Sequence, residues 1–581
     1  MDAFLFDFRK TIAELIEEYY YKHFSRLCHR MGLDFHVEVT YGGVGYPPLD
    51  ILKANSYADL PMFEFWAGHN PTTSYPEYTP AFQPEYNFPA FAVAMYNKPV
   101  MGAESYTAQA HYSESPWDLK CFGDRAYCSG INQFILHSYV HQPFDHKPGM
   151  TLFVWGSHFN RNNLYWEHIT DWLTYHARIQ SVLQEGKQVS RLLVYAGDQQ
   201  PQALDFLADL KLPFGYPISL CNQEIILSKT KEKKNKILCD GSEYDLLILP
   251  NTKGMHIATL EAIEQLVKQG GSLYGPRPRR LLSLSEASAQ EKFDLLTARI
   301  WGPIDGKNYT ENKYGKGKVF WGMPLPEILK KIGVLPEFET GHPDSLNLMF
   351  IHKKTENTDV FFLFNQTDSM LVREGIFNTS RRSPEIWNPV DGTIIRPAVY
   401  RYLKDGRICL PFSLKPRESV IFVFTGTSSG TFIESVYFGK DHVFPASDKS
   451  SIPISVPVAW WDGNKIKSFS ALPGEYVMRY ARGKTISVHL DTPDTFYIRN
   501  FIGTLAFASS YPTNLKPLEI NQLVPWNESA VPDIKYFSGT GIYRLKFSVP
   551  EEFISENDSV LLSLGEVGST AKVSLNGKSL G

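Results

Sequence analysis

Cysteine is scarce in this chain of 581 residues, and the six present (Cys28, Cys121, Cys128, Cys221, Cys239, Cys409) form no CxxC pair. That spacing excludes a zinc-ligand motif and offers no disulfide framework, so buried free thiols are expected. No run of 18 apolar residues occurs, which excludes a membrane-spanning helix. The net charge of −4 leaves no electrostatic footprint for nucleic acid. Nucleotide-binding glycine patterns are missing too, and Gly270-Gly271 alone is not a cofactor site. No signal-peptide pattern precedes the first helix.

Aromatic residues are plentiful, at 14% of the chain, with 31 Tyr, 38 Phe and 11 Trp. Two explanations compete. β-rich cores favour aromatics, and sugar-binding clefts use them as stacking platforms. The second is favoured in the first 180 residues, where histidines accompany them. The length calls for about three or four domains.

Residues 3–31 carry helical apolar spacing (Ile12, Leu15, Ile16, Tyr19, Leu27) and end at Gly32. Strands are expected over 35–40, 60–66, 98–104 and 134–140, with a turn at Tyr41-Gly-Gly43. Helices are expected near 86–96, 122–133 and 163–186. This alternation predicts a parallel α/β sheet. Four strand–helix units are half of the eight that a barrel needs, so residues 1–186 are expected to be the C-terminal half of a (β/α)8 barrel. Residues 187–330 predict a flavodoxin-like α/β domain, with strands at 191–195 and 244–250, a helix at 260–269 and a strand at 270–275. Helices then disappear. Residues 331–426 predict a β-sandwich, 425–431 a linker, and 427–581 a second all-β module with strands at 541–547 and 559–565. The Asn576-Gly577 turn near the last residue suggests that this module is incomplete, as the barrel is at the other end. The expected class is therefore multidomain α/β plus all-β.

The chemistry-bearing residues gather in the first unit. Glu104 is expected at the C-terminal end of a strand, the face on which a (β/α) barrel builds its active site. Glu64 ends the strand before it, and Glu38 shares a face with His36 in the strand before that. Period-two geometry over 134–140 puts His137, Tyr139 and His141 on one face, with Gln142 following. Trp155, His158 and Arg161 fall in the loop leading to the last helix, and Asp124-Arg125 suggests a structural ion pair. Carboxylates at strand ends with His, Trp and Arg around them are the toolkit for glycoside hydrolysis, in which one carboxyl donates a proton and a second activates water or attacks the sugar.

Several motifs occur in order: Ala103-Glu-Ser-Tyr-Thr107, Lys120-Cys-Phe-Gly-Asp-Arg125, Gly130-Ile-Asn132, His137-Ser-Tyr-Val-His-Gln-Pro143, Pro148-Gly-Met150 and Trp155-Gly-Ser-His-Phe-Asn-Arg161. Gly275-Pro-Arg-Pro278, Gly317-Lys-Val-Phe-Trp-Gly322, Glu385-Ile-Trp-Asn-Pro389 and Leu564-Gly-Glu-Val567 continue the series. Together they resemble the α-L-rhamnosidases of glycoside hydrolase family 106. The resemblance implies an inverting, calcium-assisted hydrolase that removes terminal α-L-rhamnose from plant-type glycans or glycosides. It implies Glu104 as general base, Glu64 as a carboxylate toward the calcium ion or the sugar, and His137 and His141 beside the substrate. Trp155 and Arg161 are expected substrate contacts as well. The resemblance places the general acid on an earlier strand, ahead of Met1, and the full-length protein in the periplasm or outside the cell. It also likens the last module to a galactose-binding-like jelly-roll. A barrel glycosidase of the β-galactosidase type, or a truncated sugar-binding paralogue without activity, are the alternatives.

Overall fold

Alternating burial along one short segment sets up the site. In Leu60-Pro-Met-Phe-Glu-Phe-Trp66, residues 61, 63 and 65 are buried and 60, 62, 64 and 66 half-buried, as a strand covered on one face requires. The computed structural model describes residues 2–39, 48–67, 88–108, 112–202, 206–341, 347–426, 431–446, 457–463, 465–492, 494–509, 514–553, 560–565, 567 and 570–580. The expected turn at 41–43 and most of the linker at 425–431 lie outside the described residues.

The first unit opens on helix α1 (Asp2–Ile16), which runs through a π turn at Glu17–Tyr21 into α2 (Lys22–Arg30). Strand β1 (His36–Glu38), helix α3 (Ile51–Ser56), strand β2 (Leu60–Trp66), helix α4 (Phe88–Met95), strand β3 (Gly102–Thr107), helix α5 (Pro116–Cys128), strand β4 (Gln133–Leu136) and helix α6 (Ile169–Gln184) follow. The four strands are parallel and lie in the sequential order β1-β2-β3-β4, as successive strand–helix crossovers dictate. One face is packed: Phe63, Phe65, Ala103 and Tyr106 are buried in a cluster with Leu119, Phe159 and Trp172. The opposite face carries Glu38, Glu64 and Glu104 in half-buried positions.

Three expectations need correction. Strand β3 spans 102–107 rather than 98–104, so Glu104 lies within it instead of at its end. The Asn132 side chain takes the Met101 N–H at 2.7 Å and donates to the Pro99 carbonyl at 2.9 Å, occupying backbone groups that a longer strand would pair. Helix α5 starts at Pro116, because Ser115 and Asp118 form a capping box ahead of it. Strand β4 stops at Leu136, where the His137 N–H still reaches the Ser105 carbonyl but Ser138 already bonds to Ser157. The period-two face proposed for His137, Tyr139 and His141 therefore does not form.

Beyond α6, β5 (Lys187–Gln188) pairs with Leu348–Lys354 of a later sheet before the chain enters a parallel layer. There β6 (Leu192–Tyr195), β7 (Ile218–Cys221) and strands 246–248, 272–274 and 317–320 stand in the flavodoxin-like order, second-first-third-fourth-fifth, with 311–314 antiparallel at the edge. The next unit packs an antiparallel sheet built on Thr358–Asn365 and Ser419–Thr425 against one built on Leu371–Phe377 and Ile408–Leu414. Phe338, Phe361, Phe377, Phe422 and Phe424 fill the space between them. Further β-structure follows, including the pair Ile502–Ala508 and Thr540–Lys546. The strand expected at 559–565 is not found over 560–565, where Leu561 is 95% exposed. Asn576-Gly577 does turn a hairpin between 574–575 and 578–579, with φ of 49° and 80°.

A buried triad ties the sandwich together. The His352 ring sits between Glu337 (Nδ1 to Oε2, 2.9 Å) and Asp359 (Nε2 to Oδ1, 3.0 Å). Burial works against charge on the ring, yet hydrogen bonds to Asp359 and Glu337 outweigh it and raise its pKa. A raised imidazole pKa stabilises the fold fully below the unfolded value of about 6.5 and loses that contribution as pH rises through the folded value. Melting temperature should therefore fall as pH climbs above neutral, and fall less steeply in His352→Gln. Parallel melting curves for the two proteins across that window would contradict the assignment.

Candidate active site

The half-open sheet face is built by register. Glu64 on β2 pairs directly with Glu104 on β3, and strands in a sheet lie about 4.8 Å apart. Each carboxyl group stands within electrostatic reach of the other, and the Glu104 charge raises the Glu64 pKa. Glu38 stands on the same face one strand further out, where His36 and Glu38 pair with Leu60 and Met62. Burial, then the charges of Glu64 and Glu104, push the Glu38 carboxyl up to about 7. The Glu64 carboxyl is raised as well: burial and the Glu104 charge outweigh hydrogen bonds with Thr107 and Trp66. Three carboxyls on one face of adjacent strands cannot all ionise cheaply, and Glu38 and Glu64 hold protons to higher pH than a free glutamate.

A bulge then re-aims the end of β3. The pairing shifts between Phe65 and Trp66, so Trp66 pairs with Thr107 instead of Tyr106. Tyr106 takes the extra position at φ 69° and sends its ring into the core, against Phe65 at 4.9 Å and Phe134 at 5.6 Å. Its hydroxyl contacts His176 Nε2 at 3.3 Å, a histidine that burial holds neutral, with its pKa lowered to about 3. A left-handed conformation is uncommon for an aromatic residue and costs on the order of 1–3 kcal/mol. The result is a Thr107 turned onto the carboxylate face, its Oγ1 donating to Glu104 Oε1 at 3.0 Å.

His137 lies just past β4 with Nε2 3.5 Å from Glu104 Oε1, the two side chains 18% and 29% exposed. The loop from Trp155 closes over this corner. The Gly156 N–H bonds to the Ala108 carbonyl at 2.8 Å, and Ser157 N–H to the His137 carbonyl at 3.2 Å. Gly156 has φ 102°, and a Cβ there would meet Ser138 Oγ at 2.7 Å, so only glycine lets the loop lie this close. Trp155 packs edge-on against Trp66 at 5.4 Å, forming an aromatic wall beside Glu64.

The structure thus brings together Glu64, Glu104 and His137, with Trp155 beside them through Trp66. It does not bring in the other two. His141 is on the exposed loop beyond the strand end, and Arg161 is engaged with Asp145 Oδ1 and the Phe144 carbonyl, both at 3.2 Å. Asp124 pairs with Lys120 rather than with Arg125, and also accepts from Tyr175 and Ser419. Sequence reasoning missed Trp66 and Thr107, although both flank the glutamates within three residues.

Calcium takes six to eight oxygen ligands. Among the described residues no three His, Cys, Asp or Glu side chains are grouped to hold a metal ion. Glu64, expected as a ligand, stands in register beside Glu104 on the neighbouring strand. The described residues by themselves do not make up such a shell.

Among the described residues no helix is long and apolar enough to cross a membrane. Comparison with known proteins gives this geometry a lineage. The chain superposes on the rhamnosidase from Novosphingobium sp. PP1Y with a TM-score of 0.72 at 23% identity, covering 93% of this chain and 46% of that one. A GH42 β-galactosidase from G. stearothermophilus (a catalytic mutant of Gan42B) is a more distant match, with a TM-score of 0.47, 11% identity, and coverage of 73% and 69%. A curated protein of Formosa agariphila called a putative beta-glucuronidase is 34% identical over 428 residues, 74% of this chain and 34% of that protein. The chain therefore spans about a third to a half of the length of the rhamnosidase and of the curated relative. The family model for Glyco_hydro_106, alpha-L-rhamnosidase, matches residues 1–402, and the chain belongs to that family of glycoside hydrolases.

Proposed function

We propose that residues 2–184 supply the water-activating side of an inverting glycosidase that releases terminal α-L-rhamnose, with Glu104 as the general base. One observation carries the reading: Glu104 faces the half-open side of a parallel sheet with Thr107 and His137 against its Oε1. A carboxylate so placed takes a proton from water as the water attacks the anomeric carbon. The leaving oxygen then needs a separate acid about 6.5–9.5 Å away, leaving room for the water. Glu64 does not meet that need, because it stands in register with Glu104 on the neighbouring strand, where backbones run about 4.8 Å apart. We assign the acid to elements that would close a (β/α)8 barrel opposite β1–β4. Glu64 and His137 are assigned to ring hydroxyls and Trp155 to an apolar face of the sugar. His141 and Arg161, further out, are assigned to substrate beyond the terminal ring.

Inversion makes a stereochemical demand. Proton NMR of early hydrolysis of a nitrophenyl α-L-rhamnoside should show the β-anomer of rhamnose first, with the α-anomer growing in by mutarotation. An α-anomer as the first product would replace inversion with a covalent intermediate, and a lack of hydrolysis would count against the activity.

A further inference from the structure

The packed side of the sheet holds a chain of hydrogen bonds that cannot touch the sugar yet ends at the site. The Phe134 N–H of β4 donates to Gln180 Oε1 at 3.3 Å, and Gln180 Nε2 donates to Tyr127 Oη at 3.1 Å. Tyr127 Oη lies 2.7 Å from His176 Nδ1, and His176 Nε2 lies 3.3 Å from Tyr106 Oη. Tyr106, Tyr127 and His176 are all buried. Burial keeps the imidazole neutral, so it offers one donor and one acceptor nitrogen. Each hydroxyl can play either part.

Tyr106 is where the chain meets the site. It is the extra residue of the bulge, at φ 69°, and such a conformation persists only where its surroundings over-determine it. The far end of its ring is fixed by two helices. On α5 an added Cβ at Gly123 would collide with the Tyr106 oxygen, and on α6 His176 bonds to that same oxygen. Gly123 lies in the Lys120-Cys-Phe-Gly-Asp-Arg125 motif, so one role of that motif is to make room for the hydroxyl. Regular alternation would send residue 106 to the carboxylate face and residue 107 to the packed one. With Tyr106 held in the core, Thr107 turns outward and donates to Glu104 Oε1 at 3.0 Å.

We propose that His176 is a positioning residue for the reaction: through the Tyr106 hydroxyl it holds the bulge, and through the bulge it holds Thr107 on Glu104. The inference rests on the reading of Glu104 as base and extends it to the opposite face of the sheet. A misplacement of about 1 Å in a reacting group costs on the order of 10²-fold in rate, even when its cause lies far from the chemistry.

His176→Phe removes both nitrogens and keeps a ring, while Tyr106→Phe removes one hydroxyl only. Each should lower kcat for a nitrophenyl α-L-rhamnoside by on the order of 10²-fold, with KM little changed. Thr107→Val should lower kcat as well. Adding His176→Phe to it should cost much less than the product of the two separate losses, because both break one link. Losses that multiply overturn the proposal.

A second readout needs no turnover. In protein carrying 13C-labelled threonine methyls, the Thr107 signal is assigned by its loss in Thr107→Val. It should move in His176→Phe and in Tyr106→Phe, while the signal of Thr170, exposed on the same helix as His176, stays in place. Should His176→Phe not fold, Tyr106→Phe decides alone. A Thr107 methyl that does not move, or a Thr170 methyl that moves with it, overturns the proposal whatever the rates. A Thr107 methyl that moves alone, in protein that hydrolyses no rhamnoside, supports the link from His176 to Thr107 and removes the reading of Glu104 as base instead.

Discussion

Glu104→Gln should lower turnover of a nitrophenyl α-L-rhamnoside by about 10²–10⁴-fold, the usual worth of a positioned general base. Glutamine keeps the length and the oxygen that Thr107 donates to at 3.0 Å, so the sheet face should retain its shape. It cannot take a proton from water. Sugar binding, followed by calorimetry with free rhamnose, should therefore survive almost unchanged. The loss belongs in kcat, because the missing interaction forms only as water attacks. A raised KM with normal kcat would mean that Glu104 holds the substrate instead. Added azide offers a second check. A small anionic nucleophile needs no base, so it should restore part of the rate in Glu104→Gln and none in a variant crippled by misfolding.

Asp124→Ala should cause the largest loss of stability, about 3–5 kcal/mol. Asp124 is fully buried and accepts from Lys120, Tyr175 and Ser419. Lys120 itself reaches the Arg417 carbonyl at 2.8 Å and Ser419 Oγ at 2.7 Å. This knot joins α5 and α6 to the Ser419–Thr425 strand of the sandwich. Removing the carboxylate leaves an ammonium buried with only neutral partners, which costs far more than the lost hydrogen bonds. The double variant Asp124→Ala/Lys120→Met should accordingly be more stable than Asp124→Ala alone, as measured by denaturant unfolding. If the double variant is the weaker of the two, the charge is not what matters at this junction.

Much of this architecture is legible in local patterns, and what escapes them is set by distant partners. Strand β2 lies at the expected 60–66 because alternation is a property of the segment itself. Strand β4 is shorter than its sequence suggests: His137, Tyr139 and His141 alternate on paper, while the chain is turned at Ser138 by Ser157, nineteen positions on. Glu64 and Glu104 are both legible as site carboxylates. Their pairing is not, since register between parallel strands depends on partners that no short window contains. Thr107 is hidden for a related reason: three residues from Glu104, it belongs to the other face until a bulge is allowed for. Asp124 looks paired to its neighbour Arg125, but its partners include a serine 295 positions away. The chain from 560 to 565 has strand-like composition, and among the described residues it pairs with nothing.

The pairing of Glu64 with Glu104 also bears on how the chain avoids misassembly. Sliding β2 by one residue along β3 would bring Phe63 or Phe65 beside Glu104 and drive Glu64 among Tyr106, Phe134 and Trp172. A carboxylate stranded among aromatic rings costs several kcal/mol unless it neutralises. The wrong registry is thus penalised on both faces at once, and a chain that zips up incorrectly is pressed to reopen. A glutamate proposed for the sugar site would also penalise the wrong register, well before any substrate arrives.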